Sequence, residues 1–152
     1  MIKKTYSVQI KAPAAKVYST MLGIDNKKTY EQWTAEFNPT STFEGNWNKD
    51  SKMYFVGTGE DGKRGGMISM IVEHIPANFV SIKHIGMLMG DDEITGGPDV
   101  EKWAGGCENY TYKENNGHTH LSVDIDVIEE YEDYFDGTYP KALAKLKEII
   151  EQ

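Results

Sequence analysis

Cys107 is the only cysteine in this chain of 152 residues. No intrachain disulfide can form, so the fold must rest on its core, and a reducing, cytoplasmic setting fits best. Basic side chains are also short: 16 against 24 acidic ones, a net charge of −8. That balance repels polyanions, so neither nucleic acid nor an anionic membrane suits the chain as its main partner. No apolar run approaches the roughly 20 residues that span a bilayer. The start, Met1-Ile2-Lys3-Lys4-Thr5-Tyr6, lacks the apolar stretch of a signal peptide. There is no internal repeat, linker or low-complexity segment, and the expectation is one domain over residues 1–152.

What is present is globular: 39% hydrophobic and 26% charged residues, enough to build a core at this length. Residues 5–11 alternate, with Tyr6, Val8 and Ile10 on one face, which predicts a half-buried strand. Pro13 then opens a helix over 14–22, closed by Gly23. A second short helix is predicted over 29–37, with Tyr30, Trp33 and Phe37 on one face and Asn38-Pro39 ending it.

From Thr40 the pattern is strands and turns. Strands are predicted over 42–47, 52–58, 66–74, 79–89, 109–113 and 119–128, with Asp61-Gly62 and Asn115-Asn116-Gly117 as hairpin signals. Residues 90–106, rich in Gly and Asp, read as one long irregular loop, and such loops are often functional. The closing helix is predicted over 131–152. Phe135, Tyr139, Ala142, Leu146 and Ile149 form its apolar stripe, and Gly137 and Pro140 predict a kink or late start. The acidic run 129–133 suits a helix N-terminus. The fold class is α+β: a curved antiparallel sheet of about six to seven strands, covered by the long last helix.

Several segments together resemble a known family. They are Ala12-Pro13-Ala14-Ala15-Lys16-Val17-Tyr18, Trp33, Gly45-Asn46-Trp47, and Trp103 with Glu108-Asn109-Tyr110-Thr111-Tyr112. Gly117-His118-Thr119-His120-Leu121-Ser122-Val123 and Tyr139-Pro140-Lys141-Ala142-Leu143 complete the set. In this order they resemble the START-like superfamily, also called SRPBCC or Bet v allergen-like. Within it they are similar to the branch of homologues of the activator of the heat-shock-protein-ninety ATPase. The resemblance covers nearly the whole chain. It implies a helix-grip fold with a deep cavity under the last helix that takes an apolar or amphipathic small molecule. The co-chaperone's separate N-terminal docking domain is expected to be missing, which weakens a chaperone interaction as a reading.

The residues themselves offer few motifs. Gly57-Thr58-Gly59-Glu60-Asp61-Gly62 fits G-x-G-x-x-G, but a strand follows where a helix would be needed to hold phosphate, so a hairpin is the reading. His118 and His120 share a strand face, but alternation puts Leu121, Val123, Ile125 and Val127 on the core side and the histidines in solvent. No metal site is expected, and no cofactor. His74 reads as structural and Cys107 as a buried, inert thiol. His84 is in phase with Val80 and Ile82, so it faces inward as a satisfied core group, a polar handle or a general base. Glu108 is in phase with Tyr110 and Tyr112. It either enters the cavity, needing a partner or a raised pKa, or ends in water at the strand's open end.

Aromatics and methionines are numerous and line adaptable cavities as well as cores. The candidate ligand-binding set is Trp33, Phe37, Phe55, Met70, His84, Trp103, Glu108, Tyr110, Phe135, Tyr139 and Leu146, with Trp103 at the mouth. Only one of Tyr54 and Phe55, and one of Met67 and Met70, faces in. The catalytic candidates are Glu108 and His84, whose pairing does not follow from spacing. The leading expectation is a binding protein for a small apolar or amphipathic molecule, lying between the sheet and the helical stripe. The second is a cyclase- or lyase-type enzyme using His84 or Glu108 as acid or base. The third is a chaperone-associated interaction module.

Overall fold

Alternating strands and one striped helix assemble as their patterns require. The computed structural model describes all residues, 1–152. β1 (Ile2–Ile10) leads into α1 (Ala14–Leu22) and α2 (Lys27–Thr34). There follow β2 (Thr42–Gly45), β3 (Lys52–Thr58), β4 (Arg64–Ile75), β5 (Phe79–Met89) and β6 (Asp92–Ile94). A short α3 (Pro98–Glu101) precedes β7 (Cys107–Asn115) and β8 (His118–Val127). A 3-10 turn, Glu129–Tyr131, then starts α4 (Glu132–Glu151).

All strands are antiparallel, in the order β1-β8-β7-β5-β4-β3-β2, and β6 pairs with the far end of β5. The open sheet curves around α4 in a helix-grip-like arrangement. No helix is long and apolar enough to cross a membrane.

Several details differ from the sequence expectations: α2 ends at Thr34, so Phe37 lies outside it, and β2 ends at Gly45, short of Trp47. Residues 90–106 are not a structureless loop, because β6 and α3 lie within them. α4 has no late start, since it begins at Glu132 and is helical through Gly137 and Pro140. Proline removes only the N–H that residue 140 would give to the carbonyl of Asp136, and packing of the apolar stripe keeps the helix whole. Cys107 is half-buried rather than buried, since it faces away from the core with its thiol toward the Gly105 carbonyl.

The core forms where α1, α2 and α4 meet the concave face. Val17, Met21, Trp33, Ile71, Ile82, Leu121, Val123, Leu143 and Leu146 all fall within it. The last carbonyls of α1 lack intrahelical donors. Two indoles supply them: Trp33 Nε1 donates to the Met21 carbonyl at 2.8 Å and Trp47 Nε1 to the Leu22 carbonyl at 3.0 Å. His74 is structural in the same way. Its Nδ1 meets the Trp47 carbonyl at 2.7 Å, and its Nε2 meets the Tyr18 hydroxyl.

Gly66 shows how tightly β3 and β4 pair. A Cβ there would sit 2.0 Å from the Phe55 carbonyl oxygen. Gly66→Ala is therefore expected to force the two strands apart, at about 2 kcal/mol of strain. Urea denaturation measures the cost, and a midpoint equal to wild type would contradict this packing.

Candidate functional site

β5 carries the centre of the site, and an irregularity aims it. Ser69 pairs with His84 and Ile68 with Gly86, which leaves Ile85 without a partner on β4. Such a bulge shifts the in-out alternation by one residue. Ile82 and His84 therefore face the hollow on one side of it, and Met87 lines the hollow on the other. The opposite edge of β5 changes partner at the same point. Lys83 pairs with Cys107 of β7, whereas Met87 pairs with Ile94 of β6. Between them the His84 N–H donates to the Gly106 carbonyl and its carbonyl accepts from Gly105, both at 2.9 Å. His84 is thus held by backbone bonds where the regular ladder stops.

β7 supplies the partner. Its alternation turns Glu108, Tyr110 and Tyr112 inward, and Glu108 lies between Ile82 of β5 and Ile125 of β8. Glu108 Oε1 is 3.1 Å from His84 Nε2. Tyr139, from α4, donates its hydroxyl to Oε2. On the other ring nitrogen, His84 Nδ1 meets Ser69 Oγ at 2.7 Å. The chain Ser69–His84–Glu108–Tyr139 ties β4, β5, β7 and α4 together. A carboxylate accepts only, so Nε2 carries a proton toward Glu108, and in the neutral ring Nδ1 accepts from Ser69. The His84 and Glu108 side chains keep 12% and 14% exposure. Ser69 keeps none. The carboxylate's charge reaches further. The Tyr110 phenol is held well above its usual pKa, first by burial and then by Glu108, and Tyr30 is raised by the same two causes.

These groups open into a cavity of about 990 Å³. It lies between the sheet end formed by β3, β4, β5, β7 and β8 and the first turns of α4, with α2 as a side wall. Trp33, Phe37, Phe55, His84, Trp103, Glu108, Tyr110, Phe135 and Tyr139 line it. Met70 and Leu146, two of the candidate residues, do not. Met70 pairs with Lys83 and Lys52, so it lies on the outer face, and Met67, opposite Phe55, lines the cavity in its place. Leu146 is fully buried in the core. Ala142 is buried with it, so the C-terminal half of the helical stripe packs solid and only its first turns border a hollow.

The sequence reading missed Ser69, Met87 and Tyr131 as parts of this site. Inward phase on β5 gave a signal for Met87 only if the bulge is known, and nothing local marked Ser69. The glycine-rich segment is the β3–β4 hairpin, with Gly57 and Gly59 at the cavity's edge. His118 and His120 lie on the outer side of β8, opposite buried Leu121 and Val123. No cluster of three or more His, Cys, Asp or Glu side chains is placed to hold a metal ion.

The class that this architecture defines is an α+β protein whose open antiparallel sheet grips a C-terminal helix. No protein-family model matches the chain, and no curated protein matches it. Solved structures do. A protein from Nitrosomonas europaea superposes with a TM-score of 0.72 at 11% identity, over 99% of this chain and 95% of its own. One from Cytophaga hutchinsonii gives 0.69 at 16% identity, over 99% and 94%. CalU16 from Micromonospora echinospora gives 0.66 at 13% identity, over 97% and 75%. At such identities the likeness establishes the fold alone.

Proposed function

We propose that the protein binds a small amphipathic molecule, its apolar body against the aromatic walls and its polar end on the Glu108–His84–Tyr139 group. The sequence resemblance to the START-like superfamily points the same way, since that family implies such a cavity. The observation that carries the reading is the hollow itself: about 990 Å³, walled by Trp33, Phe37, Phe55 and Phe135, with one hydrogen-bonded polar cluster inside. A few fixed polar groups in an apolar cleft are the usual make-up of a ligand site. Affinity would come from apolar area removed from water, at roughly 25 cal/mol per Å².

Titration with the fluorescent apolar amine N-phenylnaphthylamine tests this. Its size, about 17 non-hydrogen atoms at roughly 0.3–0.5 kcal/mol each, predicts saturable one-to-one binding with a Kd on the order of 10 µM. Met87→Trp, which narrows the hollow, should weaken the signal severalfold while the protein stays folded by circular dichroism. Linear, unsaturable uptake by wild type would remove the proposal.

A second reading rests on the 3.1 Å contact between His84 and Glu108. An imidazole and a carboxylate in reach of one another suit proton transfer of the cyclase or lyase kind. Ser69 completes a Ser–His–Glu row, but its hydroxyl has no exposure, so covalent chemistry through it has no route to a substrate. The reading is therefore confined to acid–base work by His84 and Glu108.

A further inference from the structure

Glu108 sits in the cavity without a permanent cation. The groups hydrogen-bonded to its carboxylate are His84 Nε2 and the Tyr139 hydroxyl. Of these only the imidazole can carry positive charge, and no lysine or arginine forms an ion pair with it. An ionised carboxylate offers about four acceptor positions, so two donors leave room for a ligand.

The rest of the cavity carries the same sign. Asp61, Asp92 and Asp126 border it along with Glu108, although Asp126 is paired with Lys3 at 4.0 Å and accepts the Cys107 N–H at 2.9 Å. The only lysine and arginine on its border are Lys63 and Arg64, both in the hairpin region. Arg64 is already paired with Glu44 at 2.5 Å. Negative charge focused in a cleft with low-dielectric walls attracts cations and repels anions.

The walls nearest Glu108 are aromatic faces and edges. Tyr139 stacks on Tyr6 with centroids 5.2 Å apart and meets Phe37 edge-on at 5.0 Å. Tyr30, Trp33 and Tyr110 also line the hollow. Aromatic π-systems beside a carboxylate repay the desolvation of an organic ammonium, which a lone carboxylate in an apolar cleft would not do.

Resting on the ligand-binding reading above, we propose that the cavity selects an organic cation: a molecule with an aromatic or alicyclic body and an ammonium group that lodges on Glu108. Carboxylates and phosphates of the same body are excluded by the charge that attracts the amine. Neutral alcohols enter, but without the ion pair.

Calorimetry with naphthylethylammonium, naphthylethanol and naphthylacetate decides the matter, since they share one apolar body. The measurement belongs at about pH 8, where a primary alkylammonium is still protonated. Wild type should bind the ammonium about tenfold more tightly than the alcohol, as one buried ion pair with cation–π contact implies. The carboxylate should bind at least about tenfold more weakly than the alcohol. Glu108→Gln should weaken the ammonium about tenfold more than it weakens the alcohol, so that the two probes bind alike. If that variant fails to fold, the ammonium-to-alcohol ratio in wild type decides alone. Equal affinities, or a preference for the carboxylate, would overturn the cation proposal while leaving cavity binding intact. Failure of all three probes to bind would overturn both.

Discussion

Raised in pH from about 9 to 12, the protein is expected to unfold cooperatively, with phenolate absorbance rising in the same step. Tyr30, Tyr110 and Tyr112 are 6%, 4% and 4% exposed. Burial is the leading cause that raises all three phenols above their usual pKa of 10, and Glu108 adds its charge at Tyr30 and Tyr110. The folded state therefore keeps protons that the unfolded chain loses above about pH 10. Stability is whole below that pH and falls as pH rises, by up to about 1.4 kcal/mol per pH unit for each phenol. Three such phenols acting together oppose a stability that is only about 5–15 kcal/mol for a small domain.

Absorbance near 295 nm followed beside circular dichroism makes the check. The two transitions should coincide, and Tyr112→Phe should move the midpoint upward. Its hydroxyl meets only the Met21 sulfur, at 3.2 Å, so little is lost in exchange. Phenolate appearing gradually in a still-folded protein would show that these rings are not sealed from water.

Legibility in the sequence followed the range of the interactions. β8 was readable because Leu121, Val123, Ile125 and Val127 repeat with period two, and that period is a property of the strand alone. The same holds for Glu108, whose inward phase with Tyr110 and Tyr112 is local. What Glu108 meets is not local. The contact with His84 depends on the β5–β7 register and on the bulge at Ile85, and neither leaves a mark in composition. Met70 was assigned to the cavity because its face depends on the register of β4 against β3 and β5, which put it between Lys52 and Lys83. Gly137 and Pro140 signalled a kink or late start, and the helix nevertheless starts at Glu132.

The helical stripe raises the remaining difficulty. Phe135, Tyr139, Ala142 and Leu146 share a face, but period alone cannot say which part of that face is covered by side chains. Coverage is set by α1, which packs on β7, β8 and α4. Its Val17, Met21 and Leu22 fill the hollow beside the later turns of α4. Phe37 and Tyr6 reach Tyr134 and Tyr139 in the first turns but do not fill the space beside Phe135, so the cavity survives there.

Leu146→Ala and Phe135→Ala should therefore behave differently. Leu146 has no exposure and is surrounded by core side chains, so truncation leaves a void that rigid strands cannot close. About 3 kcal/mol of stability should be lost, within the range for buried leucines. Phe135 is only half-buried and faces existing empty space, meeting Tyr134 at 5.2 Å and Tyr139 at 6.3 Å between ring centroids. Its removal adds to a hollow already present, and the cost should stay near 1 kcal/mol, mostly lost ring contacts. Denaturant unfolding of both variants gives the two values. The binding assay should respond in the opposite order, with Leu146→Ala leaving N-phenylnaphthylamine affinity unchanged and Phe135→Ala weakening it severalfold through loss of wall area. Equal destabilisation by the two truncations would mean that the hollow extends along the whole helix or is absent from its first turns, and the site would have to be placed elsewhere.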